Sequence, residues 1–246
     1  MSTTPDPKEP QDLGDLAGMV IVVAGATGAA GPPLVERLAA AGATVVAAGS
    51  NRERIDAVVV DVTSRVPSGR VHAAVVDLLD AQATRDWATA VESEHERVDG
   101  LVHLVGGWRG GVGIVESDLA DWNWLQDRLI RTVQHTSRAF HDAMKASPRG
   151  RFVLISTVQA SAPSANNASY AAAKAAAEAW TLAVADSFKD SDAAAVILRI
   201  KALLTPAMRA ARPEGAFAGY TPVDELADTI HDLWLTPATE LNGRRL

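Results

Sequence analysis

The sequence predicts a single α/β domain in which helices cover both faces of a doubly wound parallel sheet of about seven strands. Short apolar runs alternate with helical segments along the chain, and runs this apolar are typical of parallel strands buried on both faces. The first run leads directly into a glycine-rich turn and then a helix. No repeat or internal linker divides the chain, so we expect one domain over residues 15–246.

The order of the predicted elements follows from these runs. Pro32 and Pro33 fit the first turn of the first helix, and Gly42 ends it. The predicted strands cover residues 19–24, 43–48, 71–76, 100–105, 151–155 and 193–200, and residues 242–246 begin a last strand. The predicted helices cover residues 32–41, 81–96, 119–145, 168–188 and 223–235. Residues 205–219, rich in Pro, Gly and Ala, predict a mobile lid, and residues 1–14 predict a disordered tail.

Bulk composition narrows the function classes. A net charge of -7 and a pI near 5.3 argue against nucleic acid or an anionic membrane as a partner. Cysteine is absent, which excludes disulfides and thiolate metal sites. The sequence also lacks an apolar run of the ~18–20 residues that a membrane span needs, and it lacks a secretion signal. We therefore expect a cytoplasmic protein that acts on a small molecule.

Metal binding is not expected from the histidines of the long predicted helix. His135 and His141 are six residues apart, so they do not share a helix face.

The turn after the first strand predicts a dinucleotide site. Glycines at this position let the chain turn tightly and approach a pyrophosphate at the helix N-terminus. The alternative is an ordinary strand-to-helix turn that contains glycine. A phosphate-binding loop of nucleotide hydrolases is excluded because no Gly-Lys-Ser/Thr follows. The candidate cofactor contacts in this turn are Gly25, Thr27, Gly28, Ala29, Ala30 and Gly31.

The end of the second strand favours NADP over NAD. An NAD site normally carries an acidic residue there, to bind the ribose 2′-hydroxyl. This chain has Ser50, Asn51 and Arg52 instead, and these side chains could bind a 2′-phosphate. The alternative for Arg52 is an exposed loop cation.

Tyr170 and Lys174 supply a candidate acid–base pair. Four residues apart on a helix, the phenol and the ammonium lie on one face. A neighbouring cation favours the phenolate, so we expect Tyr170 to exchange a proton near neutral pH. The alternative is two unrelated residues on an Ala-rich helix.

The chain contains, in this order, the glycine turn, Asp77, Gly106 and the Tyr170/Lys174 pair. With these features it resembles the short-chain dehydrogenase/reductase family over nearly all of the segment from Leu16 to Leu246. The resemblance implies a Rossmann fold and hydride transfer with NAD(P), in which Tyr170 is the proton donor or acceptor. It implies that Lys174 binds the nicotinamide ribose and that Thr157, with Ser156 beside it, orients the substrate. The further cofactor contacts that it implies are Asp77, Leu78, Val105, Gly106, Gly107 and Thr205.

Three segments depart from the family pattern. The Asn-Asn-Ala-Gly after the fourth strand is His103-Leu104-Val105-Gly106, and the Asn expected on the following helix aligns with Leu129. The Pro-Gly after the sixth strand is Ile200-Lys201. These departures keep open a second interpretation, a dinucleotide-binding sensor or scaffold of this fold with little or no catalysis.

A narrower resemblance, to the quinonoid dihydropteridine reductase branch, comes from residues 105–111, the missing Asn, and residues 217–222 and 231–234. It implies that Trp108 stacks on a flat heteroaromatic substrate, and the alternative is a Trp packed against the lid.

The Ala-rich run 171–179 permits close helix–helix approach. Because the family commonly pairs this helix across subunits, we expect a homodimer or homotetramer.

Overall fold

A parallel sheet of six strands forms the centre of the molecule in the computed structural model, which describes residues 15–246. The predicted tail, residues 1–14, lies outside the described residues. The sheet has the order β3-β2-β1-β4-β5-β6, with every neighbouring pair parallel. The strand order reverses between β1 and β4, which is where such sheets bind ligands. The strands are β1 Val20–Ala24, β2 Thr44–Gly49, β3 Arg70–Val75, β4 Gly100–His103, β5 Arg151–Thr157 and β6 Ala194–Ile200.

Helices cover both faces of this sheet, as the sequence predicts. In β1, Ile21 and Val23 face one apolar layer, and Val20 and Val22 face the other. Both sets are buried, which explains why the strands are apolar throughout rather than alternating. The helices are α1 Gly31–Ala40, α2 Arg52–Arg65, α3 Ala81–His95, α4 Leu119–Gln126, α5 Thr132–Ala139, α6 His141–Ala146, α7 Ala168–Ser187, α8 Pro206–Ala211, α9 Val223–Asp232 and α10 Ala238–Leu241.

The expected last strand forms only a single β-bridge. Arg245 pairs in parallel with Ile197 of β6. The Ile197 amide donates to the Arg244 carbonyl at 3.0 Å, and the Leu246 amide donates to the Ile197 carbonyl at 2.9 Å. The end of the chain therefore follows the edge of the sheet beside β6, but the described sheet has six strands rather than about seven.

Helix α2 is absent from the sequence prediction, although its signals are readable. Asn51 caps it by accepting a hydrogen bond from the Arg54 amide at 2.9 Å. Ile55, Val58 and Val62 are buried, at a spacing that keeps them on one helix face. This helix follows β2 directly and so flanks the cofactor side of the sheet.

The long helix predicted over residues 119–145 is interrupted. A π-helical turn, Asp127–Arg131, separates α4 from α5, and α6 begins again after Phe140. Such turns are rare and occur frequently at functional sites. This one contains the buried Leu129.

The predicted lid, residues 205–219, contains α8 and is closed at its base. Strand β7, Leu203–Leu204, pairs with β8, Thr221–Pro222, on either side of it. Its mobility stays a prediction. Between residues 15 and 246, no helix is both long enough and apolar enough to cross a bilayer.

Candidate functional site

The carboxyl ends of β1, β2, β3 and β4 surround a cavity of about 660 Å³. A cavity of this size is in the range of cofactor and small-molecule sites, ~300–1,000 Å³. Ten of the predicted cofactor residues line it: Gly25, Thr27, Gly28, Ala29, Ser50, Asp77, Leu78, Val105, Gly106 and Gly107. The sequence therefore located most of this cavity.

The glycine turn is shaped by close backbone contacts. Gly25 has a φ of 84°, and a Cβ there would lie 2.8 Å from the Val105 amide nitrogen. A Cβ on Gly31 would lie 1.9 Å from the Ala26 carbonyl oxygen. Helix α1 therefore begins directly behind Gly28 and Ala29, and the positive end of its dipole faces the cavity side of the turn. Ala30 and Gly31 support the turn and are not part of the cavity lining.

At the end of β2, the cation that reaches the cavity is Arg54 rather than Arg52. Arg52 is exposed, and its guanidinium faces Asp56 at 3.5 Å. Arg54 lines the cavity beside Ser50, and its Nη2 donates to the Thr27 carbonyl at 2.9 Å. Asn51 is used as the cap of α2. Arg54 is not among the residues predicted from the sequence because it lies in the first turn of α2, a helix that the sequence prediction lacks.

Asp77 closes the turn after β3. Its Oδ1 accepts a hydrogen bond from the Leu79 amide at 2.9 Å, which holds Val76, Leu78 and Leu79 against the cavity. Thr205, by contrast, accepts from the Met208 amide at 3.1 Å and caps α8, while Leu203 lines the cavity.

Tyr170 lies in the first turn of α7, beside Thr157 at the end of β5. Burial raises the pKa of Tyr170 because it destabilises the phenolate, and a hydrogen bond with the Thr157 hydroxyl acts in the opposite direction. This differs from the expectation that Lys174 lowers the Tyr170 pKa. The phenol is therefore protonated at neutral pH and is suited to donate a proton.

Lys174 follows one turn later and is buried. Its Nζ donates to the Ile155 carbonyl of β5 at 2.7 Å. Burial lowers the pKa of Lys174 to about 8, although the negative charge of Glu178 opposes this shift. The ammonium is thus fixed to β5 and sensitive to alkaline pH.

Ser156 and Thr157 lie on opposite faces of β5, as neighbouring strand residues must. Ser156 is buried and donates from Oγ to Glu178 Oε1 at 2.7 Å. The same carboxylate accepts from Arg199 Nε at 2.9 Å and from Arg245 Nε at 3.1 Å. Thr157 is therefore the hydroxyl beside Tyr170, whereas Ser156 belongs to an ionic network around the buried Glu178.

Comparison with known proteins identifies the family of the chain. The family model described as short chain dehydrogenase matches residues 19–214. The chain belongs to the short-chain dehydrogenase family. Curated relatives include a short chain dehydrogenase of Pseudocercospora fijiensis, 28% identical over 66% of this chain and 52% of the relative. Gluconate 5-dehydrogenase of Gluconobacter oxydans is 29% identical over 71% of this chain and 67% of the relative.

The chain spans about half to two thirds of the length of the curated relatives it matches.

Solved structures of the family share the fold over nearly the whole chain. An NADPH-bound short chain oxidoreductase from Pseudomonas aeruginosa, described as containing an atypical catalytic center, has a TM-score of 0.84 and 24% identity, covering 95% of this chain and 96% of that one. NAD⁺-bound xylitol dehydrogenase has a TM-score of 0.83 and 18% identity, covering 94% and 98%.

This member of the family has an apolar contact at Leu129, the position at which its sequence departs from the Asn of the family pattern. Leu129 packs with Leu125 and Ala173 in a small buried cluster, against which Tyr170 also packs. A leucine cannot hold a water molecule by hydrogen bonding. The side chain at this position therefore shapes the wall beside Tyr170 and takes no part in proton transfer.

His103, another departure, is a satisfied core residue of β4. Its Nε2 lies 3.2 Å from Thr132 Oγ1, and its Nδ1 lies 3.1 Å from Thr136 Oγ1. Burial lowers the His103 pKa to about 3, and the Lys174 charge acts in the same direction. The imidazole is neutral at physiological pH.

Two tryptophans lie near the loop that follows β4. Trp108 is 57% exposed, and its ring covers Gly110 and Gly111 of its own loop rather than the cavity. Trp124 instead packs against Gly107, with the guanidinium carbons of Arg109 and Arg128 4.5 and 4.7 Å from its ring centroid. Stacking of Trp108 on a substrate stays a prediction.

Proposed function

We propose that this chain is an NAD(P)-dependent oxidoreductase that transfers hydride between a nicotinamide and a carbonyl/alcohol or activated C=N group of a small molecule. The observation that carries the proposal is the pairing of a half-buried, protonated Tyr170 with the Thr157 hydroxyl, on the sheet whose strand ends form a glycine-walled cavity of dinucleotide size. The curated relatives are named as dehydrogenases, which supports this class of reaction.

The chain's own residues have separate tasks in this proposal. When bound, the nicotinamide ring supplies or receives the hydride. Thr157 orients the substrate oxygen or nitrogen by hydrogen bonding, and Tyr170 donates its phenolic proton to that atom during reduction. Lys174, fixed by the Ile155 carbonyl, holds the nicotinamide ribose. In the oxidative direction, the deprotonated form of Tyr170 accepts the proton.

NADP is the preferred cofactor in this proposal, and Arg54 carries the preference. No carboxylate occupies the end of β2, where Ser50 and Arg54 line the cavity. Because Arg54 also bonds the Thr27 carbonyl, its guanidinium is held beside the glycine turn. A guanidinium so placed suits a 2′-phosphate.

Arg54→Gln is expected to weaken NADPH binding about 10–100-fold and to leave NADH binding nearly unchanged, because a hydrogen bond to a charged group contributes ~1.5–3 kcal/mol. Dissociation constants for both cofactors, measured by quenching of protein fluorescence, check this. The matched control is Arg52→Gln, which should alter neither. An equal loss for both cofactors would show that Arg54 supports the pyrophosphate turn instead.

The lowered pKa of Lys174 predicts the pH above which the reductive reaction becomes slower. An ammonium is charged below its pKa, so kcat/KM should be constant at neutral pH and should fall about tenfold per pH unit above about 8. The phenolic proton of Tyr170 is lost only at higher pH, since the Tyr170 pKa is raised. The test is a profile of kcat/KM against pH at saturating NADPH. A kcat/KM that stays constant beyond pH 9 would show that the reaction does not need the charge of Lys174.

A sensor or scaffold that binds the dinucleotide without efficient catalysis is the second candidate, favoured by the apolar Leu129 beside Tyr170. NADPH and NADH oxidation across ketones, imines, quinones and quinonoid pterins separates the two. The oxidative arm uses gluconate and 2,3-dihydro-2,3-dihydroxybenzoate, after which two relatives are named. Turnover of any member supports the enzyme, and tight cofactor binding without turnover supports the sensor.

A further inference from the structure

We propose that His72, Glu94 and His95 form a binding site for one divalent transition-metal ion such as Zn²⁺. His72 lies in β3, the edge strand of the sheet, and Glu94 and His95 end α3. Their ligand atoms, one from each side chain, all lie within 4.8 Å of one another. Glu94 Oε1 is 3.7 Å from His72 Nδ1 and 3.9 Å from His95 Nε2.

These separations are too long for hydrogen bonds and close to what a shared ion requires. A tetrahedral zinc with ligand bonds of ~2.0–2.1 Å holds neighbouring ligand atoms ~3.4 Å apart. The two distances from Glu94 therefore need a contraction of a few tenths of an ångström, and the imidazole nitrogens, which lie within 4.8 Å of each other, need a rotation of the exposed His72 side chain toward His95. Among residues 15–246, none of the three ligand atoms forms a hydrogen bond that would compete.

The two imidazoles are oriented before any ion binds. The rings of His72 and His95 meet edge to face, with centroids 5.1 Å apart and an interplanar angle of 71°. The His95 side chain is only 12% exposed, so packing limits its rotation, while Glu94 is exposed and free to adjust. The site also lies at the C-terminus of α3, where the helix dipole favours a cation.

Ligand type identifies the class of ion. Two imidazole nitrogens and one carboxylate suit Zn²⁺, Co²⁺, Ni²⁺ or Cu²⁺, whereas Mg²⁺ and Ca²⁺ prefer oxygen ligands. Water can complete the tetrahedron, since His72 and Glu94 are exposed. His72 is five residues before Asp77, about 16 Å along the strand at ~3.3 Å per residue. The ion would fasten β3 to α3 outside the cofactor cavity and take no part in hydride transfer.

The test uses tag-free full-length protein titrated with Co²⁺ and then with Zn²⁺. We expect one Co²⁺ per chain with the visible absorption of a tetrahedral site, displacement by Zn²⁺, a higher melting temperature with either ion, and unchanged NADPH binding. His72→Asn and Glu94→Gln should each weaken Co²⁺ binding at least about tenfold.

Glu92→Gln, two residues earlier on the exposed side of α3, is the matched control and should bind like the original chain. Because the substituted side chains are exposed, the variants should fold, and melting without metal checks this. No stoichiometric binding, or equal binding by His72→Asn and the original chain, would overturn the proposal.

Discussion

Tyr170→Phe should lower kcat by about 10²–10⁴-fold, the range for loss of a general acid, while NADPH binding stays within about twofold of the original. Phenylalanine keeps the packing of Tyr170 against Leu129 and Ala173 and removes only the hydroxyl that bonds Thr157. The measurement is steady-state NADPH oxidation with an active substrate, together with NADPH titration by fluorescence.

The pattern of loss separates catalysis from folding. A uniform loss of turnover, cofactor binding and melting temperature would indicate structural damage rather than a missing proton donor. A Phe variant with the original kcat would remove Tyr170 from the mechanism. Failure at this residue would not affect the metal proposal, whose measurements do not depend on turnover.

Glu178→Gln should destabilise the fold by about 2 kcal/mol, less than the ~3–5 kcal/mol for breaking a fully buried ion pair, because Arg199 and Arg245 are partly exposed to solvent. Glu178 is 2% exposed and accepts hydrogen bonds from Ser156, Arg199 and Arg245. An amide NH₂ in place of a carboxylate oxygen would face a guanidinium donor and leave the charge of Arg199 without its partner. Thermal unfolding should show a melting temperature lower by about 4–8 °C, and denaturant unfolding should show a matching loss of stability.

Asp186→Asn on the same helix is the matched control for this loss. Asp186 pairs with Lys189 at the surface, and such exposed pairs contribute ~0–1 kcal/mol. Asp186→Asn should therefore leave the melting temperature nearly unchanged. Equal losses in the two variants would show that the Glu178 network has no special role in stability.

The Glu178 network should also respond to acid. Burial alone would raise the pKa of Glu178, but hydrogen bonds from Arg199, Ser156 and Arg245 outweigh it and hold the pKa below the ordinary value. A carboxyl with a lowered folded-state pKa adds stability above its unfolded pKa and loses it as pH falls through the folded value. In Glu178→Gln, this part of the acid dependence should disappear.

Local sequence signals were sufficient for the fold class and for much of the cofactor cavity. The apolar runs predicted the six strands of the sheet, and the turn at Gly25 and Gly28 predicted one wall of the cavity. Both predictions were possible because each feature depends on residues that are consecutive in the sequence. The family assignment, from Asp77, Gly106 and the Tyr170/Lys174 spacing, is confirmed. Homo-oligomer formation and the quinonoid pterin branch stay predictions.

The segments that form the sheet, the glycine turn and the Tyr170 helix are readable from the sequence, since periodicity and turn chemistry act between near neighbours in the chain. Contacts between side chains of different helices and strands depend instead on tertiary packing. In the folded chain, Arg54 rather than Arg52 lines the cavity, and Ser156 bonds Glu178 on the face of β5 opposite to Thr157. His72 lies beside the end of α3. Those contacts depend on how the helices pack and on which face of the sheet each strand residue points to. A short run of residues specifies neither.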